Sequence, residues 1–207
     1  MESTSLPFVA TGEVRPEEAT MASAPDDWMR FISDLRAITT ATTSCGALVA
    51  RLRPVIRACA QARGWVKPHH YACDPVQGFG VHALHEEADH TLWVVALSWL
   101  PGRGAPPHDH RTWAVVAGVE GLEKNTYGRR LDDGRRPGHA ELAPIGDEIV
   151  GPGDVVAFLP DAIHSVTNET DRVTLSLHVY GRNLNRVGRS QFDPEKQTES
   201  PFLVTVQ

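Results

Sequence analysis

His108 and His110, one residue apart in the run Pro106-Pro107-His108-Asp109-His110, are followed downstream by a third histidine, His164. In an extended segment side chains alternate between faces, so His108 and His110 point one way and Asp109 the other. A later strand that brings His164 beside this pair gathers three neutral imidazole nitrogens around a divalent metal and leaves its remaining positions open for chemistry. A structural zinc site, by contrast, is closed by four ligands. Imidazole suits iron, zinc, copper and nickel alike, so ligand type alone does not name the metal.

A second group of chemically useful residues lies in 174–180, Thr-Leu-Ser-Leu-His-Val-Tyr. Alternation puts Leu175, Leu177 and Val179 on one face and Thr174, Ser176, His178 and Tyr180 on the other. With the polar row against a cavity, Ser176, His178 and Tyr180 can hydrogen-bond in series, because imidazole donates through one nitrogen and accepts through the other. With that row in water, the segment is an ordinary half-exposed strand. A zinc hydrolase needs a base or an oxyanion donor at the metal-bound water. A tyrosine-centred relay favours iron instead.

These residues need a scaffold of short strands. From about Phe79 the chain shows apolar or alternating runs at 79–85, 91–100, 112–119, 122–129, 147–150, 154–159, 163–168 and 173–180, broken by Gly, Pro and Asp. That pattern predicts an antiparallel sandwich or barrel, with corners near Gly102 and Gly153. Two amphipathic helices precede it. One carries Trp28, Phe31, Ile32, Leu35 and Ile38 behind a cap at Ser23 or Asp26; the other carries Leu48, Leu52, Val55, Ile56, Cys59 and Ala60, with Pro54 near its start or kinking it and Gly64 at its end. Residues 1–25 lack periodicity and read as a mobile tail, leaving 26–207 as one domain. The segment from about Asn183 is expected to lie over the barrel as irregular structure or a short helix.

A chain of 207 residues suffices for one well-buried core. Net charge is -6 and the 20 Lys and Arg are scattered, which disfavours nucleic acid and anionic membrane as partners and leaves a small molecule. Three cysteines without a CxxC pair argue against a disulfide framework or zinc knuckle and suit a reducing cytoplasm. No run reaches the roughly 18 apolar residues of a membrane span. Nothing in the composition demands more than a monomer or a weak homo-oligomer.

The His-Asp-His run, joined to Gly153, Pro160, His164 and Asn168, resembles the two conserved segments of the cupin superfamily, which implies a mainly β, double-stranded β-helix of jelly-roll type. Cupins usually add a glutamate ligand shortly after the second histidine, where this chain has Trp113 and Ala114. With Ser176-x-His178-x-Tyr180 included, residues 79–180 resemble the thiol dioxygenase family, the cysteine dioxygenase group, of bacterial type. The resemblance implies Fe(II) on His108, His110 and His164, an outer relay of Ser176, His178 and Tyr180, and oxidation of a small mercapto acid, of 3-mercaptopropionate or cysteine type, to its sulfinate with dioxygen. Some members crosslink the tyrosine to a cysteine; Ala114 stands where that cysteine is expected. The family's carboxylate-binding Arg or Gln is absent from 79–85, where only His82 and His85 could substitute, and His82 is expected to join the substrate-binding residues. Arg189 is the expected carboxylate partner, with Arg182 and Arg186 read as surface charges, and Trp99, Trp113, Phe158 and Leu159 are candidate walls. Two other readings stand beside this one: a non-catalytic cupin that binds a metal or ligand, and a cupin dioxygenase acting on a carbon substrate.

Overall fold

The structure is a computed structural model that describes residues 24–207. Helix α1 (Ala24–Ala41) buries Phe31, Ile32 and Leu35, and α2 (Cys45–Ala62) buries Leu48, Val49, Leu52, Ile56 and Ala60. Their three- and four-residue spacings gather each set on one face. Helix α1 already includes Ala24 and Pro25, so order begins before Asp26, and Asp26 and Asp27 occupy the first turn, where carboxylates favour the helix dipole. The alternative cap, Ser23, and the rest of the expected tail lie outside the described residues. Helix α2 ends on Arg63, in a left-handed conformation with φ 56°, rather than on Gly64, and Pro54 lies well inside it.

Eleven strands follow: β1 (Phe79–His85), β2 (Thr91–Trp99), β3 (Gly104–His108), β4 (Ala114–Glu120), β5 (Glu123–Arg130), β6 (Leu142–Val150), β7 (Val155–Phe158), β8 (Ile163–Thr167), β9 (Thr174–Arg182), β10 (Ser190–Asp193) and β11 (Thr198–Pro201). They form a five-stranded sheet in the order β1-β2-β9-β4-β7 and a six-stranded sheet in the order β11-β10-β3-β8-β5-β6. Every pairing between these strands is antiparallel. The chain passes repeatedly from one sheet to the other, and the result is a double-stranded β-helix. Gly102 and Gly153 turn two of the corners with φ of 67° and 86°, a region that glycine enters without strain.

Three strands depart from the sequence expectation. Pro106 and Pro107 mask β3, because proline removes ladder donors; the strand tolerates them where its register with β8 shifts between Ala105 and His108. The C-terminal segment is a β10–β11 hairpin behind a single 3₁₀ turn (Leu184–Arg186), not irregular structure.

Two cores result. Trp93, Val95 and Leu97 of β2, Ala114 and Val116 of β4, Phe158 of β7 and Val166 of β8 pack between the sheets. On the outer face of the five-stranded sheet, Val94, Ala96, Val115, Ala117, Leu175, Leu177 and Val179 pack against both helices. Burying each large aliphatic side chain contributes about 1.5–3 kcal/mol as an upper estimate. This double cover fixes the orientation of β9: its leucines meet the helices, so Ser176, His178 and Tyr180 must face the interior.

Candidate metal centre

His108 closes β3 and pairs directly across the ladder with His164 of β8, while His110 follows β3 by two residues. One ring nitrogen from each of the three lies within 4.8 Å of the others, and all three residues are buried. The rings are held from behind. His164 Nδ1 donates to Asn125 Oδ1 at 2.9 Å, and His108 Nδ1 donates to the Pro106 carbonyl at 2.8 Å. A ring that donates through Nδ1 while neutral leaves its Nε2 lone pair bare. His164 Nε2 faces His110 Nε2 at 3.3 Å, and His110 Nδ1 has no hydrogen-bond partner.

Electrostatics match this geometry. Burial pushes the pKa of His164 down to about 3, with Arg189 adding to the effect. It holds His108 and His110 well below the ordinary histidine value, helped by repulsion from His164. Neutral imidazoles with converging lone pairs in a buried pocket are a donor set for a divalent cation, so the residues present fit a metal. Phe158 packs on the His164 ring at 4.1 Å between centroids and limits its rotation. Asp109 faces away, as alternation predicts, and accepts from the Ser190 backbone at 2.8 Å while pairing with Arg111 at 2.8 Å.

The relay runs along the inner face of β9. Ser176 Oγ lies 2.8 Å from His178 Nε2, and His178 Nδ1 lies 2.8 Å from the Tyr180 hydroxyl. Tyr180 in turn sits against the His110 ring, 5.3 Å between centroids. Burial lowers the His178 pKa to about 3 and raises that of Tyr180, so both are neutral near pH 7. Ala114 is opposite Tyr180 on the neighbouring strand, and its methyl group offers no sulfur for a crosslink.

Arg189 is the third component. Only 3% of it is exposed, its Nε has no partner, and its guanidinium lies 4.1 Å from the Phe202 ring centroid. Among the described residues no ion pair neutralises it, and burial brings its pKa down to about 10. Asp109 acts on this guanidinium only from beyond ion-pair distance, so the group keeps its donors for an anion, and its fork geometry matches carboxylate. His108, His110, His164, His178, Tyr180 and Arg189 line one cavity, whose other walls include Val81, Trp93, Leu97, Trp99, Leu184 and Phe202. Arg189, Leu184 and Phe202 all come from the C-terminal segment.

Other expected residues lie elsewhere. His82 is buried beside His70, with Nε2 2.9 Å from the Ala72 carbonyl, and does not line the cavity; its placement gives it no access to a substrate there. His85 pairs with Glu87. Trp113 packs toward the helices and Leu159 is 49% exposed, so of the four candidate walls only Trp99 lines the cavity, with Phe158 behind His164. Two residues escaped sequence reasoning. Asn125 orients His164, and Glu123 accepts hydrogen bonds from Ser176 at 3.0 Å and Thr174 at 3.1 Å. Their one signal was a shared face at a spacing of two on β5, which also fits a solvated strand edge.

No family model matches the chain. Among solved structures, it is similar to an uncharacterized conserved protein with a double-stranded β-helix domain from Klebsiella pneumoniae, at 14% identity over 62% of this chain and 96% of that one, with a TM-score of 0.46. An RmlC-like cupin from Shewanella frigidimarina matches at 18% identity over 53% of this chain and 81% of its own, TM-score 0.40. Oxalate oxidase in complex with glycolate matches at 17% identity over 54% of each chain, TM-score 0.42. These neighbours are cupin-fold proteins, and the likeness is one of fold alone.

Proposed function

We propose that this protein is an iron-dependent thiol dioxygenase that oxidises a small mercapto acid to its sulfinate. The observation that carries this reading is the meeting, around one cavity, of three neutral imidazoles, a phenol held by a Ser-His relay, and an unpaired buried guanidinium. Ferrous iron on His108, His110 and His164 would supply the redox chemistry, RS⁻ + O₂ → RSO₂⁻, in which sulfur gives four electrons and both oxygen atoms end on sulfur.

The chain's own residues do the rest. Arg189 binds the substrate carboxylate through its fork, which fixes where the thiol end of a short molecule falls. Val81, Trp93, Leu97 and Phe202 exclude water and strengthen each polar contact inside. Tyr180 holds a proton at its hydroxyl beside the histidines, and His178 and Ser176 hold the phenol in position.

The test is oxygen uptake by iron-loaded protein across a panel of thiols, with and without a carboxylate. Uptake that depends on a mercapto acid and exceeds the metal-free control is expected. Retained metal and tight ligand binding without uptake would replace this reading with that of a binding protein. Uptake with diketones or catechols but not thiols would move the substrate to carbon.

A further inference from the structure

The relay does not stop at Ser176. Glu123 Oε2 accepts from Ser176 Oγ at 3.0 Å and Glu123 Oε1 accepts from Thr174 Oγ1 at 3.1 Å, so four side chains form one unbranched line, Glu123–Ser176–His178–Tyr180. Glu123, Thr174, Ser176, His178 and Tyr180 are each at most 4% exposed, so bulk solvent does not satisfy a mismatched donor or acceptor along the line. Directions along such a line are therefore set together, and the end group sets them.

The two states follow from counting protons. A carboxylate only accepts. With Glu123 ionised, Ser176 must donate to it, His178 must donate to Ser176 through Nε2–H, and the bare Nδ1 must accept the phenol proton of Tyr180. The hydroxyl proton then points back into the protein and oxygen lone pairs face the cavity. With a proton on Glu123 Oε2, every bond reverses: Glu123 donates to Ser176, Ser176 to Nε2, and Nδ1–H to the phenol oxygen. The Tyr180 proton is then free to point into the cavity. No bond between heavy atoms changes: one proton from solvent forms an O–H bond on Glu123, the N–H bond of His178 at Nε2 is exchanged for one at Nδ1, and the hydroxyls of Ser176 and Tyr180 rotate.

We propose that Glu123 is a positioning residue whose protonation decides whether Tyr180 presents a hydrogen-bond donor or an acceptor to the cavity. Burial supports it: desolvation pushes the Glu123 carboxyl up to about 7, against the pull of Ser176, Thr174 and the Trp99 indole. The elements packed against Glu123 bring no other group that titrates there. Strand β9 offers His178, neutral down to about 3, and Tyr180, raised above its ordinary value; β8 carries His164, also neutral down to about 3 and paired opposite Tyr127; β6 places Val150 opposite Glu123, and β2 ends in Trp99. Glu123 hydrogen-bonds to none of His108, His110 and His164. This inference rests on the hydrogen-bonded line and not on the thiol reading.

The experiment uses metal-free full-length protein with ¹⁵N-labelled histidine and reads the His178 tautomer by long-range nitrogen–proton NMR across pH 5.5 to 8.5. The expected result is Nδ1–H at low pH and Nε2–H at high pH, with a midpoint near 7, and a single tautomer throughout in Glu123→Gln. If that variant fails to fold, Thr174→Val serves, since losing one donor to the carboxylate shifts the midpoint upward. One unchanging tautomer in the wild type, a transition that survives Glu123→Gln, or a midpoint unmoved by Thr174→Val would each overturn the proposal. None of these outcomes depends on turnover, so failure here is distinguishable from failure of the dioxygenase reading.

Discussion

In the proposed reading, single residues carry the recognition chemistry. Arg189 is charged, buried and unpaired, so removing it withdraws a charge-assisted hydrogen-bonding partner worth about 1.5–3 kcal/mol. Arg189→Met is expected to raise KM for a mercapto acid about ten- to a hundredfold, and to leave a thiol of equal length without a carboxylate nearly unaffected. Steady-state oxygen uptake on both substrates checks this; equal losses would show that Arg189 only shapes the cavity. Asn125 supports His164 from behind, and outer-shell partners of metal-bound histidines are worth roughly 10–100-fold in metal affinity. Asn125→Ala should lose metal in competition with a chelator while keeping its fold, as measured by metal content and circular dichroism. The histidine triad was legible because the His108-x-His110 pair, which alone could arise by chance among ten histidines, is joined to Gly153, Pro160, His164 and Asn168 at cupin-like spacing. Arg189 was found only through the family resemblance, since a lone arginine in a loop has no period. His82 misled for the converse reason: alternation placed it on a buried face, but that face looks toward His70 and the Ala72 carbonyl.

At the scale of elements, the site depends on how closely β3 approaches β8. A Cβ added at Gly104 would lie 1.8 Å from the Val166 carbonyl oxygen, a contact that only backbone movement can relieve. Gly104→Ala is therefore expected to force the two strands apart, lower the melting temperature by several degrees and reduce metal content, both read on the purified variant. Unchanged metal content would mean that His108 and His164 are held by other contacts. The β9 alternation could be read from sequence because its apolar face is continuous, and the helices that cover Leu175, Leu177 and Val179 were themselves legible by period. Strand β3 was hidden by its prolines. The β10–β11 hairpin was hidden because Ser190–Asp193 and Thr198–Pro201 are short and mostly polar, so the pairing of β10 with β3 and of β11 with β10, rather than composition, makes them strands. That missed hairpin connects Arg189 to Phe202, both of which line the cavity.

Across the whole molecule, buried histidines tie stability to pH. His70 has its pKa lowered to about 4 and His82 is lowered from 6.5, both chiefly by burial, so folding favours their neutral forms. Their contribution is present above pH 6.5 and is lost as pH falls toward 4. His164 and His178 act in the same direction. Glu123 opposes them, because its raised pKa makes the protonated form the favoured one in the fold. Histidines outnumber it, so the melting temperature of metal-free protein should fall between pH 6.5 and 4; a level or rising curve would contradict this balance. Among the described residues no helix is long and apolar enough to cross a membrane, and the cavity is the one place where a metal triad, a relay and a buried cation coincide. The most direct measurement of what that cavity does is the fate of isotopically heavy dioxygen given to iron-loaded protein with 3-mercaptopropionate. Mass spectrometry should find both heavy atoms in the sulfinate, and no such product from His164→Ala. A product carrying oxygen from water, or none at all from the loaded wild-type protein across the thiol panel, would contradict the account.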